Sequence, residues 1–354
     1  MRDNSTSIAK AIGIILMVIG HAGCPNLLHN FIYQFHIPLF FFFSGYCFKE
    51  KHLSDFKTYA GRKITGIYFP FVKYALFFLI LHNLFFHLDI YNANYGYNGV
   101  GSKLYSFKDY VSNAISITTS MSGEERLLGG FWFLKTLFLT SFAGYAFYKF
   151  IKKPGLQIAA LLSIFAITVV ISGSKDVSSF WNNVSLTLFA TIFFVAGKTY
   201  SSLKQIHDFT QKWWFTILCF TITATLSIVL AVGFTTPDWK LFYIIGALSG
   251  IIMTRNISIY IQKLPKVSKF LINIGDNTLH ILTWHFLSFI LISLAIVKIY
   301  GLPIQEIATF PVIFTYASKG WWIAYSIIGV VVPMCIVYLT RAIPQTVSKF
   351  NKAK

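Results

Sequence analysis

Acidic residues are scarce in this chain. Its 354 residues hold 12 Asp and Glu against 30 Lys and Arg, and charged residues of both signs make up only 12% of it. So little charge, beside 55% hydrophobic residues, excludes a soluble globule, because no core of this length hides that much apolar surface. Cysteine is scarce too. Cys24, Cys47, Cys219 and Cys335 are scattered without paired or ligand-type spacing, which speaks against a disulfide framework and a zinc site. They read as small apolar packing residues. Internal repeats, low-complexity tracts and a soluble domain are missing, so residues 1–354 read as one integral-membrane domain.

What is abundant suits a bilayer. Phe occurs 37 times, Tyr 19 and Trp 8, as in helices that face lipid and end in interfacial belts. The net charge of +18 raises nucleic acid as a partner. Lys and Arg fall between apolar runs instead of forming one patch, so none is expected. The basic start (Arg2, Lys10), the apolar Ala11–Ile19 and Ala22-Gly23-Cys24 loosely resemble a lipoprotein signal. Gly20-His21 breaks that pattern where a large aliphatic residue is required, so a signal peptide is not expected.

Ten apolar stretches are readable: about 8–23, 36–48, 66–86, 131–149, 156–173, 183–197, 213–232, 241–254, 278–297 and 321–340. The expected fold is an all-α polytopic bundle of about ten transmembrane helices. The second and eighth stretches are short for a full span and read as irregular helices lining a cavity. With the N-terminus inside, 21 of the 30 Lys and Arg fall in inner segments and seven in outer ones; Lys73 and Lys135 lie within spans. That asymmetry predicts both termini cytoplasmic. The longest loop, about 87–130, then lies outside. It carries Tyr91, Asn92, Asn94, Tyr95, Tyr97 and Asn98. These types suit sugar contacts, and equally an interfacial loop with a short amphipathic helix.

His21, closing the first apolar run, is the leading candidate for chemistry. An imidazole is costly inside a membrane, and its pKa near neutrality suits general-base work. Lys10 stands eleven residues earlier. At 100° per residue the two return to within about 20° of one helix face, roughly 16 Å apart along the axis. Coenzyme A, with phosphates at one end and a thioester at the tip of a long arm, has a matching shape. Arg62 and Lys63, on the same inner side, add to a phosphate clamp. Lys10 also reads as an ordinary inner-end anchor. His36, placed at the start of the second span with Pro38 tolerable just after it, pairs with His21, contacts the acceptor, or is simply interfacial.

The run from Lys10 to His21 resembles the opening motif of the membrane acyltransferase family 3, in particular its fucose 4-O-acetylase-like branch. Residues 35–46, Phe-His-Ile-Pro-Leu followed by four Phe and Ser-Gly-Tyr, are similar to that family's second-span motif. Phe131-Trp132-Phe133-Leu134 resembles its fourth-span signature, and the stretch from Gly275 to His285 its late motif. The resemblance runs from about residue 6 to 340. It implies a bundle of ten or so helices that moves an acyl group, usually acetyl, from cytoplasmic coenzyme A to a hydroxyl on an envelope glycan or lipid-linked sugar, with His21 as the essential histidine. Two departures stand out. Lys10 replaces a frequent arginine, keeping the charge but losing the bidentate fork. Arg62-Lys63 match the first of the family's paired arginines after the second span, whereas Thr65 and Gly66 stand where a second is expected.

Other residues complete the expected site. Trp132 walls the acyl channel or belongs to an interfacial belt. His285 faces the cavity beside the acceptor or packs between helices, as does His280. Glu125, with Glu124, is a candidate to orient an imidazole from the outer loop. Lys135, inside the fourth span, approaches the acyl carbonyl or a phosphate. The expected donor is acetyl-CoA, bound as substrate, with no metal. Expected partners are acyl-CoA, an envelope glycan or lipid-linked saccharide, and the lipids of a bacterial plasma membrane that the chain crosses many times; a homodimer is left open. The rival class is a saccharide exporter or flippase, against which the missing repeat and the few intramembrane acids speak.

Overall fold

The computed structural model describes residues 4–94, 101–174, 176–230, 234 and 240–352, with the side chains of 204–206 and 342–352 left out of the description. Arg2, Lys175 and Lys354 of the charge count, and Tyr95, Tyr97 and Asn98 of the long loop, lie outside the described residues. Among the described residues the structure is helical throughout, with no strand. The longer helices are α1 (Asn4–His21), α2 (Asn26–Tyr46), α3 (Phe56–Ile80), α4 (Phe107–Ser120), α5 (Trp132–Phe150) and α6 (Pro154–Gly173). They continue with α7 (Ser179–Ser202), α8 (Trp213–Leu230), α9 (Lys240–Gln262), α10 (Pro265–Asp276), α11 (Thr278–Tyr300) and α12 (Phe314–Arg341).

Eight of these are long and apolar enough to cross a membrane: α1, α3, α6, α7, α8, α9, α11 and α12. The second and fourth stretches fall on α2 and α5, which are 21 and 19 residues long but too polar to join that group. The short second stretch is corrected by this. Helix α2 begins at Asn26, ten residues before His36, and Asn26, His29, Asn30 and Gln34 in its first half mask it in a hydropathy reading. Pro38 accordingly sits inside the helix rather than near its start. The eighth stretch is likewise part of a 23-residue helix, α9.

Burial separates inner from outer helices. In α1 and α11, 56% of the most apolar window is buried inside the bundle, against 6% in α6. The exposed face of α6 carries Leu156, Ile158, Leu162, Ile167 and Val170. Leaving such side chains in water forfeits about 1.5–3 kcal/mol each, so a helix apolar all round belongs against lipid. Small residues let the inner helices touch. A Cβ on Gly45 of α2 would fall on the Phe194 carbonyl of α7, and one on Gly197 of α7 would fall on the Phe42 carbonyl of α2. This reciprocal close approach needs glycine on both sides, a packing mode common in membrane helices.

The bundle has two unlike ends. One, the basic end, carries Lys10, Arg62 and Lys63. There Asp55 caps α3, accepting a hydrogen bond from the Thr58 N–H at 3.0 Å, and a π-helical turn, Ile64–Tyr68, carries Thr65 and Gly66. The other end carries a cap to which residues 82–94 and 101–131 contribute. Its helix α4 opens with a capping box between Ser106 and Asp109. Phe107, Val111 and Ile115, four residues apart, form its exposed apolar stripe, while Ile117 is buried, so the long loop does contain a short amphipathic helix.

Candidate active site

His21 is the last residue of α1, at the cap end. Two cavities meet at its ring. The first, about 560 Å³, is lined by Lys10, His21, His36, Arg62, Lys63 and Trp132. The second, about 990 Å³, is lined by His21, His29, Tyr33, Glu124, Glu125 and Arg126. The first thus reaches from the basic end to His21, and the second from His21 into the cap.

The first cavity gathers six of the expected residues. Thr65's neighbour Gly66 also lines it, at the place where a second arginine was expected. His52, another lining residue, sits in a one-turn helix, Lys51–Ser54, between α2 and α3. Burial, then the cations Arg62, Lys51, Lys63 and Lys49, hold its imidazole below the ordinary value of 6.5. The cations' share of that depression, second to burial, reflects the positive charge gathered at the basic end, which suits an anionic ligand.

In the second cavity His29 and Tyr33 stack with ring centroids 3.9 Å apart. Gly20, adjacent to His21, makes room for Tyr33: a Cβ there would lie 2.8 Å from the ring. Phe286 stacks on His21 from α11, centroids 4.9 Å apart at 20°. His285, the neighbour of Phe286 in sequence, is fully buried, and its Nε2 lies 3.4 Å from His21 Nδ1. His36 is also buried, and its Nδ1–H donates to the Ile32 carbonyl at 2.9 Å.

The remaining expected residues are placed differently. Glu125 does orient an imidazole, but that of His82, whose Nδ1 is 2.8 Å from Glu125 Oε2. Burial pushes the Glu125 carboxyl up, opposed by His82, Tyr91 and Arg126. The His82 Nε2–H donates to the Lys103 carbonyl at 2.9 Å, and Tyr105 stacks on the ring at 3.4 Å. Lys135 lines neither cavity; the charge beside it is Glu124, whose carboxyl burial pushes up and Lys135 pulls down. Tyr91 and Asn92 are buried and so do not present themselves to a sugar. Arg126 lies 4.9 Å over the Tyr91 ring, and Asn92 donates to the Gln305 carbonyl at 2.9 Å. The Tyr91 ring thus serves the loop's own packing, and the Asn92 amide ties the loop to the Ile304–Ala308 turn. His280 meets the Tyr74 hydroxyl at 3.4 Å, away from both cavities.

His29, Tyr33 and His82 were missed from sequence. His29, Tyr33 and His36 are spaced four and three apart, the signal of one helix face, which becomes visible once α2 is extended back to Asn26. His82 gives no such signal, since its partner is 43 residues away.

The model of the Acyltransferase domain family, Acyl_transf_3, matches residues 4–340. The chain belongs to the membrane acyltransferase family 3. The match spans both cavities and every helix that lines them. No curated protein and no solved structure matches the chain. Membership gives the coarse activity, acyl transfer by a membrane-embedded helical protein. Within that frame a cavity rich in cations at one end and a second cavity rich in rings and acids, sharing one imidazole, can hold two substrates on either side of a base.

Proposed function

We propose that this acyltransferase is an O-acetyltransferase of a bacterial plasma membrane, moving acetyl from cytoplasmic acetyl-CoA to a hydroxyl of an envelope polysaccharide or lipid-linked sugar. The observation that carries the reading is that His21 lines both cavities. Acetyl-CoA enters at the basic end, which faces the cytoplasm with both termini, as the distribution of Lys and Arg supports. Lys10, Arg62 and Lys63 hold its phosphates. Its arm follows the first cavity toward His21, along the roughly 16 Å between Lys10 and His21 on α1. The acceptor enters the second cavity from the cap side, where the stacked His29–Tyr33 pair offers a ring face and Glu124 a hydroxyl acceptor.

His21 takes the proton of the acceptor hydroxyl as the oxygen attacks the thioester carbonyl. The tetrahedral adduct collapses with cleavage of the C–S bond. His21 returns its proton to the departing coenzyme A sulfur, so the ester and the thiol are the products. In the covalent variant His21 itself attacks, carries the acetyl group and passes it to the hydroxyl in a second step. Label trapped on the protein in the absence of acceptor distinguishes the variant. An exporter without acyl transfer has no observation in its favour.

The test is mass spectrometry of envelope glycans from cells with the wild-type protein, with His21→Ala, and with neither. The reading expects one acetyl mass on a defined sugar with wild type alone. Identical glycans in all three would overturn it.

A further inference from the structure

Hydrogen-bond direction around His285 settles more than its position. Its Nδ1 lies 3.1 Å from the Ile281 carbonyl oxygen and 3.0 Å from that of Leu282. Carbonyl oxygens only accept, so Nδ1 carries the hydrogen and donates to them. With the ring neutral, Nε2 of His285 is then a lone pair. That lone pair faces His21 Nδ1 at 3.4 Å. An acceptor there requires a donor opposite, so His21 carries its hydrogen on Nδ1 and donates it to His285. The lone pair of His21 is thereby left on Nε2, to which no other described residue is hydrogen-bonded.

The surroundings hold this arrangement. His285 is fully buried, with Phe286 and Phe289 at ring distances of 3.9 and 5.7 Å, so its ring has little freedom to turn over. Phe286 stacks on His21 as well, fixing the plane in which Nδ1 meets its acceptor. His36 repeats the pattern through its bond to the Ile32 carbonyl, so both histidines near His21 spend their Nδ1–H on their own helix. The Ile281 and Ile32 carbonyls lie four residues back and the Leu282 carbonyl three, the ordinary reach of a side chain in a helix.

We propose that His285 is a positioning residue: through its backbone-fixed Nε2 acceptor it selects the Nδ1–H tautomer of His21 and so makes His21 Nε2 the reacting atom between the two cavities. The role rests on the reading that His21 performs the chemistry. When Nε2 takes the acceptor's proton, His21 holds hydrogen on both nitrogens, and the Nδ1–H bond to His285 strengthens without a proton leaving it. The same Nε2 proton passes to the coenzyme A sulfur, which restores the starting tautomer.

The experiment uses the full chain, purified and held in lipid nanodiscs, as wild type, His285→Phe and His285→Gln. Phe keeps the ring's shape and removes the acceptor. Gln replaces the acceptor with Oε1 near the position of Nε2. His285→Phe should lower kcat by about 10²–10⁴-fold with the KM for acetyl-CoA nearly unchanged, and His285→Gln should recover a large part of the loss. Nitrogen-15 NMR of histidine-labelled protein, assigned with His21→Ala, should show His21 as the Nδ1–H tautomer in wild type and a shift toward Nε2–H in His285→Phe. A wild-type His21 protonated on Nε2, an unshifted tautomer in His285→Phe, or undiminished kcat in that variant would overturn the proposal. Turnover surviving in His21→Ala would instead overturn the role of His21, while the tautomer measurement would still read the His285 contact.

Discussion

Two histidine side-chain contacts are built on opposite plans. In the cap, His82 stands between Glu125 and the Lys103 carbonyl, with oxygen acceptors at both nitrogens and Tyr105 flat against the ring. At the end of α1, His21 touches another imidazole through one nitrogen and opens onto two cavities. A ring with an oxygen partner at each nitrogen is held as a strut. A ring held on one side by a neutral acceptor is oriented and yet left able to take a proton. Neighbouring atoms, more than residue type, separate this strut from the histidine proposed to react.

That contrast breaks most visibly through Glu125. Replacing it with Ala strips one partner from a buried pair, which costs about 3–5 kcal/mol. Thermal unfolding of Glu125→Ala should show the largest loss among these variants, and an unchanged unfolding temperature would remove the strut from the account. Gly20→Ala acts on the other histidine. The new Cβ would lie 2.8 Å from the Tyr33 ring, and relieving that overlap costs about 1–3 kcal/mol, felt beside His21. It should reduce kcat at least several-fold while the cap stays intact. Lys10→Ala should raise the KM for acetyl-CoA about tenfold with little change in kcat, as loss of one charge-assisted contact to a distant phosphate implies, and Lys10→Arg should restore it. An unaltered KM would detach the basic end from donor binding.

The smallest effect expected is a pH dependence of donor binding. His52 is held below 6.5 by burial and by the cations around it. A bound phosphate offsets those cations and raises the His52 pKa, so the complex binds a proton more tightly than the free protein. Affinity for coenzyme A should therefore climb as pH falls through the raised value and level off below the free one. The gain is at most about tenfold for each unit by which binding raises it. Equilibrium binding of labelled coenzyme A down the pH scale should show this, and His52→Ala should flatten it.

How far all this could be read from the chain depended on whether the signal was local. His21 was legible because a costly imidazole closing an apolar run is conspicuous within one helix. Lys10 was legible because helical arithmetic over eleven residues needs no knowledge of packing. The first half of α2 was not, because His29, Asn30 and Gln34 lower its hydropathy, although Gln34 is buried in the bundle and His29 lines the second cavity. Glu125 was named, with Glu124, as an acid that could orient an imidazole; the imidazole it meets is that of His82, across a fold of the cap that no periodicity reveals. Tyr91 and Asn92 suited sugar contacts for the same reason: aromatic and amide side chains serve packing within a loop and between loops as readily as a ligand.

The most direct test is acetyl transfer by purified His21→Ala, with radiolabelled acetyl-CoA and an envelope-glycan acceptor, read beside its unfolding temperature. The predicted result is turnover reduced by about 10³-fold or more at a nearly wild-type unfolding temperature. Wild-type turnover by a folded His21→Ala would contradict the placing of the chemistry at the meeting point of the two cavities.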